Sequence, residues 1–163
     1  MTMALFEICQ ALEQTTISTI VRESAFPYVE GAHVLGLSLS VGIVMWFDLR
    51  LLGVAMRTQP VSEVFEDLKV WMFAGFGIMF FTGALLFSAH ATKAYASGYF
   101  RLKLALMILA GLNTVVYHFT IDRRRPEWDK ASVPPFAAQA AGPLSLVLWF
   151  SVVAVGRIVA YHL

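Results

Sequence analysis

Residues 26–50 read FPYVEGAHVLGLSLSVGIVMWFDLR, and this stretch decides the fold. From Phe26 to Phe47 the only carboxylate is Glu30 and the only imidazole His33. A run of that length crosses hydrocarbon about 30 Å thick at ~1.5 Å per residue of α-helix. It closes on Asp48-Leu49-Arg50, and Pro27 stands at its mouth, where a missing N–H costs least. Outward from it, comparable apolar stretches run from about Val70 to Ala89, from about Leu102 to Thr120, and from Phe136 to Leu163. The third follows Gly98 and is stopped by Asp122-Arg123-Arg124-Arg125-Pro126; the fourth follows Pro134-Pro135. Upstream, Leu5, Ile8, Cys9 and Leu12 share helical spacing while Glu7, Gln10, Glu13 and Gln14 fall elsewhere, which describes an amphipathic helix on the membrane surface. The reading is all-α: a four-helix transmembrane bundle over 25–163, preceded by an N-terminal amphipathic interfacial helix over 1–24.

Composition agrees. Hydrophobic residues make up 58% of the 163, charged ones 14%, and the mean hydropathy is +0.69. A soluble domain of this length cannot bury so much apolar surface, so the lipid bilayer is the first partner. A net charge of +1 offers no basic field, and nucleic acid is excluded. The single Cys9 can form neither an internal disulfide nor a thiolate metal site alone. The first twenty residues lack the apolar core of a cleaved secretory signal, so the N-terminus is expected to remain on the mature protein. HExxH, CxxC, phosphate-binding glycine loops and nucleophile elbows are absent from the sequence, and it reads as a carrier or accessory subunit rather than an enzyme acting alone.

Basic residues accumulate in cytoplasmic loops. One side carries Arg50, Arg57, Lys69, Arg123, Arg124, Arg125 and Lys130, the other Arg22, Lys93, Arg101, Lys103 and Arg157, a bias of seven against five. Both termini are therefore expected outside the cytoplasm.

Ionisable groups inside membrane helices cost about 2.5 to 3.5 kcal/mol at the helix centre on insertion scales, so each asks for a reason. His33 lies just inside the first helix and His90 at the end of the second, on the same side of an up-down bundle. Equal shallow depth on two adjacent helices is the arrangement two axial ligands of haem b require, with the haem iron held by His33 and His90. Gly83, beneath His90 on its own helix, leaves room for a flat macrocycle. Arg101, Lys103 and Arg157 on the same side are placed to hold propionates. The bland alternative is that these histidines bridge helices and the glycines are packing positions. At the opposite end, Asp48 and Arg50 read as a helix-end charge pair. His118, with Asn113 nearby, is expected to hydrogen-bond Asp48 or Arg50, as a structural tie between helices or as a proton relay.

The segments Glu30-Gly31-Ala32-His33-Val34-Leu35-Gly36, Asp48-Leu49-Arg50-Leu51-Leu52-Gly53 and Thr82-Gly83-Ala84-Leu85-Leu86-Phe87 form a pattern with Lys103-Leu104-Ala105-Leu106, Ala110-Gly111-Leu112-Asn113 and His118. This pattern resembles a family of small four-span bacterial inner-membrane proteins of no established function, over about Ser24 to His118. The resemblance implies bacterial origin, a plasma-membrane location and interest in His33, Asp48, Arg50, Lys103, Asn113 and His118. The position of His90 is not a fixed part of that pattern. The layout is also similar to membrane b-type cytochromes at the level of architecture, which does not settle function.

Three functional expectations follow. The first is a haem-b electron carrier passing electrons to quinone or a redox partner subunit. The second is a cofactor-free accessory subunit, a homo-oligomer or part of a larger membrane complex, docking through aromatic and small-residue faces. The third is binding or transport of a small ligand or metal ion, with Glu30 and His33 as its polar lining.

Overall fold

The computed structural model describes residues 2–162, and these form helices and connecting turns without a strand. In chain order they are α1 (Thr2–Glu13), α2 (Thr16–Leu51), α3 (Val61–Ala89), α4 (Ala91–Ala96), α5 (Gly98–Trp128) and α6 (Phe136–His162). The shortest of the long four, α6, has 27 residues, about 40 Å of helix against about 30 Å of hydrocarbon. Their outward faces carry Leu35, Trp71, Phe73, Phe81, Ile108 and Phe150, each more than 60% exposed. So much aromatic and aliphatic surface on every long helix requires a lipid environment.

The spanning helices extend beyond the apolar stretches. α2 starts at Thr16 and passes through a π turn, Val21–Ala25, just before Pro27. Proline lacks the N–H for an i→i−4 bond and crowds the preceding turn, and a wider turn accommodates both defects. The interfacial element is thereby shortened from the expected 1–24 to α1. α3 begins at Val61 because a carboxylate from elsewhere caps it: Asp129 accepts from Ser62 N at 2.7 Å and from Ser62 Oγ at 2.6 Å. α5 does not stop at Asp122 but continues through a π turn, Tyr117–Ile121, and a 3₁₀ turn, Asp122–Arg124, to Trp128.

α2 lies between α3 and α6, and α5 packs on α6. α2 and α3 cross where Gly36 meets Gly75, a small-residue contact of the kind that lets membrane helices touch through their backbones. Val41, Ala110, Trp149 and Val152 form the central apolar layer. Leu51, Val61 and Ala138 form a second layer nearer the α2–α3 and α5–α6 loops.

At the opposite end of the bundle α1 folds over the α3–α4 corner. The Glu13 carboxylate accepts from Thr92 N at 3.1 Å and from Thr92 Oγ1 at 2.5 Å. Arg22 donates to the carbonyls of Ala89 at 3.3 Å and Glu13 at 3.4 Å. The Thr92 hydroxyl holds the Glu13 carboxyl below its ordinary value of 4.5, and burial pushes the His90 imidazole down. Both shifts have one sign. The Glu13 contribution is complete above 4.5 and is lost as pH falls through its lower folded value, while burying neutral His90 penalises protonation. Acid should therefore release α1. Glu13→Ala should mimic this at neutral pH by removing a cap worth about 1 to 2 kcal/mol, speeding amide exchange in α1 about tenfold. Hydrogen-exchange mass spectrometry checks it, and α1 protection unchanged in Glu13→Ala would refute the clasp.

Candidate functional site

His33 sits on α2 level with Thr82 of α3. The Thr82 hydroxyl donates to the Ile78 carbonyl at 2.6 Å, as a buried helical threonine does when it satisfies itself within its own turn. Its one proton is thereby spent, so at 3.0 Å it accepts from His33 Nδ1. In the neutral imidazole this assigns the proton to Nδ1 and leaves Nε2 as a lone-pair acceptor. Gly83 makes the approach possible: a Cβ there would lie 3.1 Å from His33 Cε1.

Lys103 completes the cluster. It is half-buried on α5 and its side chain lies across Gly156 of α6, where a Cβ would be 3.6 Å from Nζ. His33 is within electrostatic reach of both Lys103 and Glu30. Thr82 precedes the end of α3 at Ala89 by seven residues, which puts the cluster about 10 Å below that end of the bundle. Below it, between α2 and α6, runs an apolar groove of about 250 Å³ lined by Leu37, Ser38, Val41, Gly42, Met45, Phe150 and Val153. At ~100° per residue Leu37 and Val41 stand about 40° and 80° around α2 from His33 and Met45, Ser38 and Gly42 about 120° to 180°, so the groove adjoins the cluster at Leu37 and turns onto the neighbouring face of the helix.

The expected pairing of His33 with His90 is not formed. His90 caps the end of α3 and meets the edge of Phe26 at 5.4 Å. It lies seven residues beyond Gly83, on which the His33 ring rests, an axial offset of about 10 Å. The space over Gly83, expected beneath a His90-bound macrocycle, is occupied by His33 itself. Of the basic residues expected to hold propionates, Lys103 faces the bundle; Arg101 is exposed, and Arg157 lies over the Tyr161 ring at 4.7 Å.

At the other end of the bundle, by the α2–α3 and α5–α6 loops, the expected partners also change. Asp48 and Arg50 do not pair. Arg50 is fully buried and donates to Gln59 O from Nε at 3.0 Å and from a terminal nitrogen at 2.9 Å, and to Ala131 O at 3.0 Å. Asp48 turns instead to Ser145 of α6. His118 is exposed and meets Asp122, one turn along its own helix, at 3.3 Å, so it ties no two helices together. Asn113 Nδ2 donates to Ala141 O at 3.3 Å and joins α5 to α6. Thr82, Ser145 and Tyr117 were not expected at either cluster. The sequence signal for the first two is a hydroxyl within three residues of a close-packing glycine, Gly83 or Gly142.

Four long apolar helices with polar side chains turned inward at both ends define a multi-pass membrane protein. The chain belongs to DUF6644, a family of unknown function, whose model matches residues 22–162. No curated protein and no solved structure matches it.

Proposed function

We propose that this protein takes a quinol-type head group from the bilayer into the cluster of His33, Thr82 and Lys103. The observation that carries this reading is the pairing of a lone-pair acceptor, His33 Nε2, with a cationic donor, Lys103 Nζ, at one depth inside the membrane. A quinol hydroxyl suits the first and a quinone oxygen the second. Lys103 has no ion pair or hydrogen bond among the described residues. A lysine at this depth needs an oxygen acceptor, and the apolar groove below supports a ligand with a hydrocarbon tail. In this reading the protein resides in a bacterial inner membrane with the cluster in the non-cytoplasmic half, as the bias of basic loop residues supports. It delivers its ligand to a redox partner subunit.

The test is to extract the purified protein with organic solvent and quantify prenyl quinone per chain. Wild type should carry quinone. His33→Ala and Lys103→Met should each lose a charged or polar contact of about 1.5 to 3 kcal/mol, which is about ten- to hundredfold in occupancy at subsaturating ligand. Equal quinone in all three proteins, or none in the wild type, overturns the proposal.

A further inference from the structure

α2, α5 and α6 meet at a second polar junction near the α2–α3 loop. α6 approaches α2 so closely that a Cβ on Gly142 would stand 2.9 Å from the Asp48 carbonyl oxygen. Ser145, one turn further along α6 and buried, brings its hydroxyl to the Asp48 carboxylate. Tyr117 of α5 brings its phenol within electrostatic reach of that carboxylate. The π turn of α5 opens at Tyr117, and such turns re-aim side chains and gather at functional sites.

Two oxygens at this junction are unspent. Asp48 is 4% exposed, and its Oδ2 has no hydrogen-bond partner among the described residues; neither has the buried Tyr117 hydroxyl. The charged groups around them are directed elsewhere. Arg50 holds the loop carbonyls through Nε and one terminal nitrogen and makes no ion pair with Asp48, its other terminal nitrogen being buried without a hydrogen-bond partner among the described residues; Arg125 pairs with Asp122 at 2.8 Å, and Asp129 caps Ser62. On α3 Glu66 and Lys69 pair with each other, and α6 brings the Ser145 hydroxyl. A buried carboxylate without a cation costs several kcal/mol. Carboxylate, phenol and serine hydroxyl together form the all-oxygen set that hard cations take.

We propose that this junction reversibly binds a small monovalent cation, a proton or a sodium ion, with Asp48 carrying the compensating charge. The site is separate from the His33 cluster. Residues 33 and 48 are fifteen apart on α2, about 22 Å, with the apolar layer of Val41, Ala110, Trp149 and Val152 between them.

A hydrophobic carbodiimide reads the site in the full-length protein. The O–H of a protonated membrane carboxyl adds across the reagent's C=N bond, and the adduct rearranges to a stable acylurea that peptide mapping locates. Labelling of Asp48 should fall about tenfold per pH unit above a midpoint. Ser145→Ala removes the hydroxyl that faces the carboxylate and favours its charged form, so it should move that midpoint to higher pH. Sodium that slows labelling at fixed pH, where choline does not, identifies sodium as the ion; labelling governed by pH alone identifies the proton. Infrared spectra of wild type minus Asp48→Asn read the same carboxyl without any reagent. If neither method finds Asp48 protonating across the pH series in folded protein, or if its labelling ignores pH, the proposal is wrong.

Discussion

Arg50→Ala should lower the thermal midpoint of the detergent-purified protein by about 10 °C, from a loss of about 3 to 5 kcal/mol. Arg50 is fully buried, and its three hydrogen bonds reach two loops, one through Gln59 and the other through Ala131. It is the pin through which the α2–α3 and α5–α6 connections are held to one helix end. Alanine leaves both carbonyls without their charged donor, and a buried acceptor stripped of its partner costs its full desolvation. Arg50→Lys should recover only part of the loss, because a point ammonium on a flexible stem cannot span both carbonyls as the planar guanidinium does. Midpoints from static light scattering on all three proteins check this, and an Arg50→Ala midpoint within about 2 °C of wild type, a shift well under 1 kcal/mol, would refute it.

Gly75→Ala should be more disruptive than its single methyl suggests, at about 3 kcal/mol, the upper end of overpacking costs. The added Cβ would stand 2.6 Å from the Ser40 nitrogen, 3.0 Å from the Gly36 oxygen and 3.0 Å from the Leu39 carbonyl carbon. These are backbone atoms of a facing helix, so no rotamer change relieves the clash and α2 and α3 must separate. Gly77, two residues on, faces away, and a methyl added there would meet nothing within 4 Å. Gly77→Ala should therefore leave the monodisperse yield in size-exclusion chromatography unchanged, while Gly75→Ala should lose most of it. Equal yields from the two variants would show that the α2–α3 crossing does not depend on the glycine contact.

The spans were legible because a hydrocarbon slab imposes a length and an apolar composition that few other structures require. Their polar ends were not. The start of α3 at Val61 depends on Asp129, a carboxylate 67 residues beyond the Ser62 it caps, and hydropathy carries no trace of such a cap. At the first cluster the residues His33 and Lys103 were recognised, but their partners were not. Counting depth from the ends of apolar runs put His33 and His90 level, whereas Thr82 and Gly83 set the register and separate them by about two helical turns. The Asp48–Arg50 pair failed for a simpler reason. Residues two apart on a helix point about 200° from each other, so neighbours in sequence face different surroundings. His118 found the partner that helical spacing favours, the carboxylate four residues on, rather than one on another helix.

The most direct measurement of the central claim is an ultraviolet and visible difference spectrum of the purified protein, oxidised minus borohydride-reduced. Binding at the His33–Lys103 cluster predicts loss of the ultraviolet quinone band on reduction in wild type, and no such change in His33→Ala or Lys103→Met. A featureless ultraviolet difference, or Soret and alpha bands that depend on His33 and His90, would contradict it.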